Sequence, residues 1–167
     1  MAGSATPPYT WHMPDREHLR RLSNVWIRNP IYYVTACAAK RRRILVTPEA
    51  AAILTESWQA ARNKHGWAVG RYVIMPDHVH FFAQPEHDAK TLSSFMRDWK
   101  KWTTRAVATA SNVEPPVWQA EFFDHVLRTP GSYDEKWACV RENPVRAGLV
   151  GQAADWPFAG ESELLDF

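Results

Sequence analysis

The spacing of apolar and polar positions divides the chain into strands and helices. Residues 29–39, NPIYYVTACAA, are rich enough in β-branched and aromatic side chains to predict a first strand. Thr47-Pro48-Glu49 then combines an N-cap, a first-turn proline and an early acid, opening a helix that runs to His65 and closes at Gly66. Ile53, Leu54, Trp58 and Ala61 recur along it at helical spacing and predict core. Two apolar runs follow, 67–75 and 78–84, broken at Met75-Pro76-Asp77 as two strands joined by a turn would be. Over 91–110, Leu92, Phe95, Met96, Trp99, Trp102 and Val107 supply the apolar positions of a second helix. Beyond Pro115-Pro116, residues 117–127 predict a fourth strand, ended by Arg128-Thr129-Pro130-Gly131. The last helix is expected to start at Ser132, with Glu135 three residues on as in a capping box, and to break at Asn143-Pro144. It resumes through 145–147 before Gly148, and the tail from Gly151 should pack Trp156 and Phe158 onto the body.

This order, strand-helix-strand-strand-helix-strand, predicts an α+β fold of the ferredoxin-like or RRM-like kind. Its four-stranded antiparallel sheet would carry helices on one face, with a C-terminal helix added. At 167 residues the chain is most simply one domain with a full core. Residues 1–28 are expected to form an extended arm and a short basic helix bearing Arg16, Arg20, Arg21 and Arg28, and 29–167 the body with a short tail. Nucleic-acid readers use such sheets often, but fold alone does not assign a function.

Charge matters here by position. Twenty Lys and Arg against eighteen Asp and Glu leave a net charge of only +2. Beyond the basic helix near the start, the cations cluster in two places: Lys40, Arg41, Arg42 and Arg43 at the exit of the first strand, and Arg97, Lys100, Lys101 and Arg105 among the aromatics of the second helix. Each cluster is either a solvated face or a track for a polyanion such as a nucleic-acid backbone. Cys37 and Cys139 stand far apart, which argues against a zinc ribbon and a disulfide framework and fits a reducing, cytoplasmic setting. No apolar run reaches membrane-span length, and the first fifteen residues lack the layout of a secretory signal. Monomer and homodimer are both open.

His78 and His80 open the third predicted strand. Alternate residues of a strand share a face, so the two imidazoles project together while Val79 and Phe81 point the other way. Such a pair is either the start of a divalent-metal site or two hydrogen-bonded strand histidines.

Three blocks taken together resemble the REP-associated tyrosine transposases, a branch of the single-tyrosine HUH transposases. They are MPDHVHFFAQP at 75–85, WQAEFFDHVLR at 118–128 and YDEKWACVRENPVRAGLV at 133–150. The resemblance implies an HUH transposase-like domain over 29–167 that acts on single-stranded or hairpin DNA of the repeated extragenic palindrome type. It also implies Mg²⁺ or Mn²⁺ as cofactor and a 5′-phosphotyrosine intermediate. By the same resemblance His78, His80 and Asn143 are the metal ligands, and the nucleophile stands four residues before Asn143. That position holds Cys139 rather than tyrosine. A thiol is shorter than a phenol, and the phosphothioester it would form is not the family's intermediate. Tyr133 is the nearest other hydroxyl, six residues away on the same helix and about 120° around it. The implied function is therefore a metal-dependent strand-cutting transposase, disabled or altered at Cys139. The alternatives are a non-catalytic hairpin-binding descendant and an RNA-binding ferredoxin-like domain. His125, Asp124, Arg128, Arg141 and Arg146 are further polar residues of these blocks with either site or surface roles.

Overall fold

The structure is a computed structural model describing residues 30–167, so the expected arm and basic helix over 1–28 lie outside the described residues. Strands β1 (Ile31–Cys37), β2 (Trp67–Met75), β3 (His78–Pro85), β4 (Phe123–Leu127) and β5 (Ala159–Glu161) form one antiparallel sheet in the order β4-β1-β3-β2-β5. The first four are the expected ferredoxin-like sheet.

Helices α1 (Pro48–Gln59), α2 (Ala61–His65) and α3 (Leu92–Ser111) follow the predicted spans, with a break at Ala60 in the first. Thr47 caps α1 through its hydroxyl, and Gly66 closes α2 at φ +74°, a conformation that favours glycine. α1 and α3 pack side by side on one face of the sheet. There Val34, Leu54, Trp58, Val79, Phe81, Phe95 and Trp99 make the larger core. The two indoles stack at 6.1 Å, and Trp99 Nε1 donates to Ser57 Oγ. Trp102 departs from the expected apolar stripe: it is 39% exposed, with Lys64 Nζ over its ring.

The other face is covered by α4 (Pro130–Val140), α5 (Asn143–Arg146) and the tail, over a second core of Ile31, Tyr33, Val73, Met75, Phe82, Leu127, Tyr133 and Val140. Period-2 alternation on β1 and β3 sorts Val34, Val79 and Phe81 to the first face and Tyr33, His80 and Phe82 to the second.

Four details differ from the sequence expectations. The fourth strand begins at Phe123 rather than at 117. Trp118 and Phe122 turn into the larger core, and Lys100 Nζ donates to the carbonyls of Gln119, Ala120 and Glu121, which draws that segment off the sheet. The cap of α4 is Thr129 rather than Ser132. Thr129 Oγ1 accepts from Ser132 N while Ser132 Oγ accepts from Thr129 N, so Pro130 takes the first helical position it suits. The last helix breaks as expected ahead of Pro144, which has no N–H to continue the ladder, but it ends at Val140, earlier than the expected Asn143, and Asn143 instead opens α5. Strand β5 carries no strand-like pattern in its sequence; β2 recruits it as an edge partner, with Arg71 and Glu161 paired beside it.

Candidate functional site

The second face of the sheet collects the polar groups that the larger core excludes. His78 and His80 lie there together, ring centroids 4.7 Å apart and nearly perpendicular. His80 is 4% exposed, and its Nδ1 lies 2.7 Å from Tyr33 Oη and 2.8 Å from Thr35 Oγ1. Both hydroxyls come from alternate positions of β1, the neighbouring strand, in which Thr35 directly faces His80. With its proton on Nδ1, the imidazole donates to a hydroxyl oxygen and keeps a bare lone pair on Nε2. That nitrogen is buried and has no hydrogen-bond partner among the described residues.

His78 is held from its other side. Its Nδ1 lies 2.7 Å from Asp77 Oδ1, and Asp77 Oδ2 accepts from Arg41 Nε at 2.9 Å. Burial pushes the Asp77 carboxyl up, but the hydrogen bond and charge of His78 and the charge of Arg41 outweigh it and hold the group below its ordinary value. Lys40 and Arg41 both adopt left-handed φ values, 55° and 53°, a strained conformation that aims Arg41 back at Asp77 and at Cys37 Sγ, 2.8 Å away.

Burial, reinforced by the charges of His78, Lys136, Arg41 and Arg146, holds the His80 imidazole well below its ordinary 6.5. Burial also pushes the Tyr33 phenol up to about 12. The site thus contains a neutral imidazole oriented through Nδ1 beside a second one oriented by a carboxylate. Hydrogen bonding of the remote nitrogen is how metal-binding histidines are usually fixed. The pair fits two ligands of a divalent cation. Among the described residues no group of three or more His, Cys, Asp or Glu side chains is placed to hold a metal.

The α4–α5 junction lies over this same face. Cys139 is exposed near the end of α4 and Asn143 opens α5. Arg146 Nη2 donates to Cys139 O at 2.6 Å and to Asn143 Oδ1, and lies 3.8 Å from Cys139 Sγ. Lys136 Nζ sits 4.8 Å from the Tyr33 ring centroid, and that ring stacks on His80 at 5.4 Å. Tyr133 is buried against Phe82, with the Arg71 guanidinium over its ring, and is a packing residue.

The remaining expected contacts divide. Arg41 is engaged with Asp77, and Arg42 donates to the carbonyls of Ala39, Glu114 and Pro116; Arg43 is exposed. Arg97, Lys101 and Arg105 are exposed and line, with Lys100, a groove of about 570 Å³ between α3 and residues 116–122. That groove opens on the helix side of the sheet, away from the imidazole pair. His125 is exposed on β4 opposite Tyr33, and Gln84 is bonded to Asp166 of the tail. Arg141 lies 3.9 Å from Glu142. Tyr33, Thr35 and Lys136 were not singled out from the sequence. The signal for the first two was their own alternate spacing on a strand beside a strand bearing HxH.

Residues 28–127 match the family described as transposase, IS200 like. The span includes both histidines and ends before Cys139 and Asn143. The chain is 27% identical over 135 residues to the REP-associated tyrosine transposase of Escherichia coli K12, covering 80% of this chain and 78% of that protein. It also shares its fold with a solved REP-associated tyrosine transposase bound to a REP hairpin. The TM-score is 0.66 at 24% identity, over 84% of this chain and 82% of the other.

Proposed function

Because the chain belongs to the IS200-like transposase family, we propose that it binds single-stranded DNA carrying a REP-type hairpin at a divalent-cation site made by His78, His80 and Asn143. In this reading Cys139 occupies the nucleophile position and leaves the protein without phosphotyrosine strand transfer. The observation that carries it is the oriented, neutral, buried His80 with an unpartnered Nε2, lying under the helix pair that presents residue 139.

A Mg²⁺ or Mn²⁺ ion, when bound, polarises a phosphate and stabilises the charge that develops on it. The protein's own contribution is positional. Asp77 and the β1 hydroxyls fix the two imidazoles, and burial keeps His80 neutral. Cys139 projects from an exposed helix end, but its thiol reaches far less than a phenol from the same Cα. Tyr33 is no substitute nucleophile, because its hydroxyl is buried and bonded to His80. Divalent-metal use, the hairpin substrate and the loss of transfer are parts of one reading, tested together.

The test incubates a 5′- or 3′-labelled REP-type hairpin oligonucleotide and Mn²⁺ with the protein as it stands and with Cys139→Tyr. The reading expects salt-sensitive binding by both, and a covalent protein–DNA adduct with strand cleavage only for Cys139→Tyr. Binding by neither protein, or an adduct with the unsubstituted chain, would overturn it.

A further inference from the structure

The neighbourhood of His80 contains more positive charge than a metal site needs. Lys136 arrives from α4, Arg146 from α5 and Arg41 from the turn after β1, and all three charges reach the buried imidazole. Arg41 is answered by Asp77. Among the described residues, neither Lys136 nor Arg146 is paired with a carboxylate. Of the acids near them in sequence, Asp134 lies 3.5 Å from Arg71 and Glu142 lies 3.9 Å from Arg141, while Glu135 is exposed and makes no ion pair with Lys136 among the described residues. Lys136 instead rests its ammonium on the face of Tyr33, whose hydroxyl and ring both contact His80. One turn of α4 separates Lys136 from Cys139, so it lies on the side of the helix where residue 139 emerges.

Resting on the function proposed above, we propose that Lys136, together with Arg146, forms an anion site for a DNA phosphodiester beside His78 and His80, and that this anion and the divalent cation bind cooperatively. The physical reason is Coulombic. A divalent cation on the imidazole pair is repelled by the two uncompensated cations until a phosphate lies between them, and the phosphate in turn is held by both. Linkage makes the effect reciprocal: whatever factor the DNA adds to cation affinity, the cation adds to DNA affinity. Lys136 therefore has opposite effects on the two ligands, which a packing role does not produce.

The experiment uses the full chain, Lys136→Met and Lys136→Arg. Affinity for a labelled REP-type hairpin oligonucleotide is followed by anisotropy over a range of salt, with and without Mn²⁺, and Mn²⁺ binding to DNA-free protein is followed by EPR. The expected wild-type result is hairpin affinity that rises several-fold with Mn²⁺. Lys136→Met should bind the hairpin about tenfold more weakly, with a salt slope lower by about 1, while holding Mn²⁺ without DNA at least as tightly as the wild type. Lys136→Arg should keep most of the hairpin affinity, which separates charge from folding. Unchanged hairpin affinity and slope in Lys136→Met, or parallel losses of hairpin and Mn²⁺ binding, would overturn the anion site while leaving the functional reading intact. A wild-type protein that binds no hairpin would remove both.

Discussion

The two β1 hydroxyls give the sharpest handle on the imidazole pair, because they can be removed without disturbing its packing. Tyr33→Phe keeps the ring that stacks on His80 and underlies Lys136, and Thr35→Val keeps the branched shape. Each single change leaves His80 Nδ1 one hydroxyl partner, at 2.7 or 2.8 Å, so the tautomer with a bare Nε2 survives. A lost neutral hydrogen bond of this kind costs about 1 kcal/mol. The double variant is different. It strands a buried N–H, which adds roughly 1–3 kcal/mol, and it removes every group that fixes the proton on Nδ1. In a chain of this size, about 3 kcal/mol lowers Tm by roughly 6–12 °C. Loss of such orienting partners weakens metal binding by about 10–100-fold. The assay is Mn²⁺ titration of DNA-free protein by EPR, paired with thermal unfolding of the same samples. The two singles should lose less than about tenfold and the double about 10–100-fold. A folded double variant that binds Mn²⁺ as tightly as the wild type would refute the reasoning, since His80 would then be oriented by something else.

Three further outcomes follow from the geometry. Lys100→Met removes the ammonium that gathers three carbonyls of residues 119–121, so it should cost about 2 kcal/mol and lower Tm by several degrees, whereas Lys101→Met should leave Tm unchanged. Gly66→Ala places a Cβ 2.9 Å from Ala89 Cα at a φ of +74°, so thermal unfolding should register a loss of at least about 1 kcal/mol. Stability should also fall as pH drops below 6.5. His80 and His65 are both held below that value by burial, so the unfolded chain takes up protons that the folded one refuses. The slope approaches about 1 kcal/mol per pH unit for the fully buried His80, and Tm measured from pH 7.5 to 5 should flatten in His80→Gln.

The parts of the fold that were legible in the sequence are those where local pattern and tertiary demand agree. Alternation in 78–84 put the imidazoles on one face and Val79 and Phe81 on the other, and the packing of α1 and α3 requires that partition. Thr47-Pro48 marked a cap that formed as written. Thr129-Pro130 has the same chemistry three residues before a second plausible cap, Ser132, and the proline decides between them. What could not be read was non-local. Residues 117–122 have strand composition, but Trp118 finds Thr103 Oγ1 and Lys100 finds three carbonyls, contacts that no period reports. Likewise β5 exists because β2 has an open edge, not because Ala-Gly-Glu prefers to be extended.

The α4–α5 junction shows how this limit bears on function. Read as one continuous helix, 132–143 would place residues 139 and 143 on neighbouring turns of a single rigid face, with their relation set by helical pitch alone. Pro144 breaks that ladder, and Glu142 N reaches Cys139 O only at 3.4 Å. The relation is set instead by Arg146, which binds the backbone of one residue and the side chain of the other. A guanidinium clamp has consequences that pitch does not. On the function proposed above, an anion that drew Arg146 away would free Asn143 Oδ1, the side-chain oxygen suited to a hard cation, and would remove the contact to Cys139 O at the end of α4. On that reading, engagement of phosphate by Arg146 and release of the carboxamide would be one coupled event, and Arg146→Lys, which cannot hold both contacts in one planar fork, should weaken that coupling in the Mn²⁺ and hairpin titrations.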